Sequence, residues 1–114
     1  MLRRAQYSVE REATHRAIAL AEIVGVPIVI VHVSNRESME EIRRGRERGL
    51  KIIGETCPQY LVLTADDLDL SGLDGAKFVC SPPPCDEASQ VACWEGMETG
   101  VRSVLVGPLP IPLQ

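Results

Sequence analysis

His32 is the residue of this chain whose type and setting could most directly do chemistry. It ends an apolar run, Ile28 to Asn35 reading IVIVHVSN, and a helix-start pattern, Ser34-x-x-Glu37, follows at once. Imidazole is a general acid–base group and the commonest metal ligand. At the C-terminal end of a buried parallel strand it stands on the functional edge of an α/β sheet. The same place suits a hydrogen-bonded loop histidine, and spacing leaves both readings open. The second histidine, His15, falls beside Arg11, Ile18 and Glu22 on the preceding helix and reads as a surface residue. Cys57, Cys80, Cys85 and Cys93 contain no C-x-x-C pair, and their spacings match no common zinc-finger pattern. They read as free thiols; a Cys80–Cys85 disulfide has no support. Cys57, before Pro58, could be a nucleophile, but the sequence places no acid–base partner for it.

The elements that must position His32 follow from periodicity. Ile28, Val29, Ile30, Val31 and Val33 are β-branched and favour a strand. Consecutive apolar positions predict cover on both faces of that strand. Ahead of it, spacing predicts a helix over 9–24, capped by Ser8 and stopped by Gly25, with Ala13, Ala17, Leu20, Ala21 and Val24 as its apolar stripe. After it comes a helix over 35–48 with Met39 and Ile42 inward. Arg43, Arg44, Arg46 and Arg48 near its end read as dipole compensation on a solvated face rather than a phosphate site. A second strand is predicted over 50–55, and Thr64 with Asp67 suits a cap for a single helical turn. A short apolar segment, 77–81, precedes Pro82, Pro83 and Pro84. Asp86 would cap a helix over 87–99 with Val91, Trp94 and Met97 as candidate buried residues, and 101–106 would be a third strand. The tail, with Pro108, Pro110 and Pro112, suits neither a central strand nor a helix and reads as coil. Helix and strand in alternation predict right-handed βα units and a parallel sheet.

Composition bounds the rest. The chain has 114 residues, the length of one ordinary domain, with 45% hydrophobic and 25% charged residues, as in soluble globular proteins. A net charge of −4 without a basic stripe argues against nucleic acid. No apolar run approaches a membrane span, and no h-region follows Arg3 and Arg4, so a membrane partner is not expected and the default location is cytoplasmic. Dinucleotide and P-loop glycine patterns, a G-x-S-x-G elbow and any H-x-H pair are missing.

The segment His32 to Leu68, HVSNRESMEEIRRGRERGLKIIGETCPQYLVLTADDL, resembles the cyclic amidohydrolases, the hydantoinases and dihydropyrimidinases. GAKFVCSPP, Gly75 to Pro83, and EREATHRAIALAE ahead of the strand fit the same family, so the resemblance covers about Val9 to Gly100. It implies a metal-dependent (β/α)₈ barrel that opens cyclic amides, either dihydropyrimidines or hydantoins. Two divalent metals, usually zinc, would activate a bridging hydroxide, and an aspartate would shuttle the proton. Within it His32 matches the metal-binding histidine that ends the sixth barrel strand. Ser81 matches a residue contacting the substrate amide, against the alternative of a turn serine before proline. Gln59 after Cys57-Pro58 favours the hydantoinase and dihydropyrimidinase branch, because allantoinases and dihydroorotases tend to carry histidine there.

The departures set the remaining expectations. A barrel needs roughly 250 residues. The H-x-H pair, the bridging lysine, the further histidine and the catalytic aspartate have no counterpart here, and Cys85 stands where the family usually has arginine. Divergence at both ends is what a truncated or frame-shifted gene would produce. The expected architecture is therefore a partial barrel of about three βα units, with residues 1–8 as a non-family leader, 9–106 as barrel and 107–114 as a proline-rich tail. Such a chain is expected to be inactive alone, because one histidine cannot hold a binuclear centre. The alternative is a noncatalytic interaction or assembly module, homo-oligomeric or associating through open sheet edges and uncovered apolar faces.

Overall fold

The structure, a computed structural model, describes residues 2–100 and 102–105. Helix α1, Leu2–Val24, is followed by strand β1, Ile28–Ile30, helix α2, Arg36–Glu47, and strand β2, Ile52–Thr56. Two single-turn helices follow, α3, Gln59–Val62, and α4, Ala65–Leu68, then a 3₁₀ turn, Gly75–Phe78. Helix α5, Glu87–Glu98, leads into strand β3, Arg102–Leu105. The strands form one parallel sheet in the order β1-β2-β3, as the βα rhythm predicts. Ile28 aligns with Ile52 and Ile30 with Gly54, and the β2–β3 pairing slips between Gly54 and Glu55. The predicted coil at 107–114 lies outside the described residues.

The helices cover one face of the sheet. Ile18 of α1, Met39 and Ile42 of α2, Ile52 of β2 and Val33 form the main core, with Ile28, Ile30 and Leu50 against it. Gly45 lets α2 pass close to both neighbours: a Cβ there would sit 3.3 Å from Ile18 Cγ2 and closer still to Ile52 Cδ1. A second cluster, Cys57, Tyr60, Leu61 and Cys93, joins the end of β2 to α3 and α5. The opposite sheet face is open, with Val29 53%, Val31 56% and Ile53 42% exposed. Cover on both faces, expected from the apolar run alone, is therefore not met among the described residues. The run has the composition of a strand buried on two sides, but helices are supplied to only one.

Several helix details differ from the periodic expectation, each for a local reason. α1 starts at Leu2 rather than Val9, so Ser8 lies inside it. Its first turns are held by Tyr7 Oη, which accepts from Asp86 N at 3.0 Å, and by Gln6 Nε2, which donates to Pro83 O at 3.4 Å. The buried line of α1 is Tyr7, Thr14 and Ile18, whereas Leu20 and Val24 are exposed and Ala13 and Ala17 border the open side. α5 buries Ser89, Ala92, Cys93 and Gly96, not Val91 or Trp94. Small residues bring α5 close to its neighbours, and Trp94 is left at the rim with its Nε1–H donating to Leu61 O at 3.0 Å. Met97 is half-buried. Toward the end of α2, Arg43 pairs with Glu40 and Glu47 and Arg44 with Glu40; Arg48, the C-cap residue, pairs with Glu22. His15 pairs with Glu41 at 2.9 Å on the surface. Exposed pairs of this kind contribute little stability.

The helix-start pattern after β1 resolves differently from its expected form. Asn35, not Ser34, is the cap: its Oδ1 accepts from Ser38 N at 2.8 Å. Ser34 Oγ instead donates to Glu10 Oε2 at 2.6 Å, and Asn35 Nδ2 donates to the same oxygen at 2.5 Å. Glu10 thereby fastens α1 to the turn that opens α2. Asn35→Ala removes a cap and leaves the Glu10 oxygen short of a buried donor. It is expected to cost about 2–3 kcal/mol in urea unfolding followed by circular dichroism, more than a surface cap alone.

Candidate functional site

His32 owes its position to one surplus residue in the first strand. Ile28 N donates to Lys51 O at 3.0 Å, as the register requires, but further along it is Val33 N, not His32 N, that donates to Glu55 O at 2.8 Å. A bulge-like insertion therefore separates the two bonds, and insertions of this kind re-aim side chains near functional sites. His32 takes φ 55, the one non-glycine residue with positive φ among those described. That left-handed backbone costs roughly 1–3 kcal/mol and persists only where its surroundings over-determine it. Those surroundings are specific. Thr56 Oγ1 donates to Val33 O at 2.8 Å, so both backbone groups of Val33 are bonded to β2. Cys93 Sγ reaches Ser34 O at 3.8 Å, and Arg36 N lies 3.4 Å from Ser89 Oγ.

This turn brings His32 next to the end of β2. The imidazole, the Glu55 carboxyl and Cys57 Sγ have ligand atoms all within 4.8 Å of one another. Among the described residues this is the one grouping of three such side chains close enough to share an ion. His32 is exposed, Glu55 half-buried and Cys57 buried. Burial pushes the Cys57 thiol above its ordinary range, and Glu55 and then Cys80 add to the rise. A cavity of about 340 Å³ lies beside His32, lined by Glu10, Ala13, Ala17, Val29, Val31 and Pro82 among others. Ser38 also lines it, and its Oγ is buried without a hydrogen-bond partner.

The other sequence candidates fall around this point without all converging on it. Ser81 is exposed and does not line the cavity; its neighbour Pro82, joined to it by a cis peptide bond, does. Pro82 O accepts from Tyr60 Oη at 2.8 Å, which fixes the segment against α3. Tyr60, buried beside Cys80 and Cys57, is held well above the usual tyrosine range, first by burial. Cys85 is buried near Ser34 and Glu10, and burial pushes its thiol up to about 12. All four cysteines are free, in agreement with their reading from spacing. Sequence reasoning missed Glu55, and left Cys57 without a partner. The parallel register of β1 on β2 would have placed both near His32, but that register is not printed in the pattern of either strand.

The residues present do not fit a binuclear centre. The chain has two histidines, and His15 is engaged with Glu41 between α1 and α2. Among the described residues, His32, Glu55 and Cys57 fit a single cation held by mixed nitrogen, oxygen and sulfur donors.

No family model matches the chain. It is 50% identical over 96 residues to the D-hydantoinase of Streptomyces coelicolor, across 84% of this chain and 21% of the relative. It is also 50% identical over 93 residues to the D-hydantoinase of Rhizobium radiobacter, across 82% and 20%. The crystal structure of the dihydropyrimidinase from Brevibacillus agri superposes with a TM-score of 0.84 at 38% identity, covering 87% of this chain and 22% of that one. The chain thus spans about a fifth of the length of the relatives it matches. By sequence and by fold it is similar to a segment of these D-hydantoinases and of this dihydropyrimidinase. The allantoinase of Enterococcus faecalis also matches, at 38% identity across 80% of this chain, below the 50% of the two D-hydantoinases.

The left-handed backbone at His32 yields a direct check. His32→Gly is expected to be more stable than His32→Ala by about 1 kcal/mol, because only glycine takes φ 55 without a Cβ penalty. Urea midpoints of the two variants measure the difference; equal midpoints would mean that the turn relaxes.

Proposed function

We propose that this chain carries the part of a cyclic-amide hydrolase that supplies one metal-binding imidazole, His32, and a substrate-side segment around Ser81. The observation that carries the reading is the identity of 50% over 96 residues with a D-hydantoinase, and the position of His32 just past β1 supports it. In the complete enzyme the metal, zinc by the resemblance, would polarise the amide carbonyl and lower the pKa of water. This chain's residues would do the positioning. The bulge at His32 turns the imidazole toward the end of β2, and Pro82, next to Ser81, lines the cavity beside it. The substrate class is a hydantoin or dihydropyrimidine. The chain by itself is inactive in this reading, because the remaining ligands and the proton-shuttling aspartate have no counterpart in its sequence.

The open sheet face favours a second reading, that of an assembly module. Val29, Val31 and Ile53 present an apolar surface that self-association or a complementary chain would cover. No described helix is long and apolar enough to cross a membrane, which is compatible with a cytoplasmic location.

A chimera tests the first reading. Residues 9–100 replace the matching segment of the Streptomyces coelicolor D-hydantoinase, and hydantoin opening is assayed with zinc. The chimera is expected to be active, His32→Ala within it to lose roughly a hundredfold or more, and the isolated chain to show no turnover. Metal-dependent turnover by the isolated chain, or a chimera indifferent to His32, would contradict the reading. Co-purification of the isolated chain with a complementary fragment, without turnover, would favour the assembly module.

A further inference from the structure

We propose that His32, Glu55 and Cys57 form a three-donor site that binds a zinc-like, thiophilic divalent cation within this chain alone. The inference shares His32 with the reading above but does not rest on it. That reading takes its other metal ligands from outside the chain, whereas this one takes Glu55 and Cys57 from the adjoining strand.

Geometry comes first. In a tetrahedral zinc site, bond lengths of about 2.0–2.3 Å place neighbouring ligand atoms about 3.5 Å apart. The three ligand atoms here lie within 4.8 Å of one another, so side-chain shifts of about 1 Å, by exposed His32 and half-buried Glu55, would bring them to ligand spacing. Partnering comes second. Among the described residues none of these three side chains makes a hydrogen bond or ion pair, although each has polar atoms converging on one point. Glu10, Ser34, Asn35 and Thr56 around the same strand end are by contrast engaged with one another or with backbone. Backbone comes third. The strained turn at His32 aims an imidazole at Glu55 and Cys57, and the Val33–β2 hydrogen bonds hold it there.

Donor chemistry selects the ion. One thiolate, one imidazole and one carboxylate suit Zn²⁺ or Cd²⁺ and disfavour Mg²⁺ and Ca²⁺, which prefer oxygen. Three protein donors leave a fourth position for water. Binding requires the Cys57 thiolate, so the S–H bond breaks as the S–metal bond forms and the proton passes to buffer.

The test uses the full 114-residue chain, reduced, with cobalt(II) chloride as spectroscopic probe and zinc as competitor. Wild type is expected to show a thiolate-to-cobalt charge-transfer band that saturates at one cobalt per chain and is displaced by zinc. Cys57→Ser is expected to abolish the band, and His32→Ala and Glu55→Gln each to weaken binding at least about tenfold. Because Cys57 is buried and its replacement can unfold the chain, zinc K-edge absorption of the wild-type complex provides a second readout, expected to give one sulfur and otherwise nitrogen or oxygen ligands. Absence of the band in wild type, two or more sulfurs per zinc, or binding unchanged in His32→Ala would overturn the proposal. Failure of the hydantoinase chimera would not, since neither measurement depends on turnover.

Discussion

Both backbone groups of Val33 are tied to the second strand, and most of the structure around the site depends on that tie. Val33 N donates to Glu55 O, and Val33 O accepts from the Thr56 hydroxyl. Because one extra residue has entered β1 before this point, the bonds can form only if His32 absorbs the excess, which it does by taking a left-handed conformation. Two buried hydrogen bonds, each worth about 1 kcal/mol net and more if left half-made, are enough to hold a strain of similar size. The same bonds carry Ser34 and Asn35 into register with α1 and α2. A small local irregularity therefore sets the direction of an imidazole, the start of a helix and the docking of the preceding helix together.

The layers around this point differ in what holds them. Between the sheet and its helices the contact is apolar and close, with Ile42 fully buried and Gly45 admitting Ile18 and Ile52. At the strand ends it is polar, with Glu10, Ser34, Asn35, Thr56 and Ser89 meeting where loops converge. That division suits a βα architecture. Barrel units bury their stability in the sheet–helix layer and carry function at the C-terminal edge, where loop residues are free to vary in chemistry. The open face of Val29, Val31 and Ile53 is the third element, apolar but without cover from the described residues.

Much of this is legible in the residues. β-branched runs, glycine stops, the Asp86 cap and the βα rhythm lead to a three-stranded parallel sheet with its helices in the right order. His32 stands out because an imidazole ends an apolar run. What periodicity does not carry is anything that depends on a neighbour. Ser34 and Asn35 are adjacent and both good caps, and Glu10, twenty-four residues earlier than Ser34, decides between them by taking the serine hydroxyl. Val91 and Trp94 look like core from their type, yet the small residues of α5 are the buried ones because close helix approach leaves no room for an indole. Glu55 and Cys57 acquire meaning only through the register of β1 on β2, which no single stretch of sequence expresses.

Amide hydrogen exchange at Val33, followed by NMR beside that of Ile42, tests the central constraint most directly. If the strand-end tie is an integral part of the fold, the Val33 amide exchanges only through global unfolding, with the same opening free energy as the α2 core amide of Ile42. Exchange of Val33 at the rate of an exposed loop amide, with Ile42 still protected, would contradict the account. The turn would then open locally, and nothing in the fold would fix where His32 points.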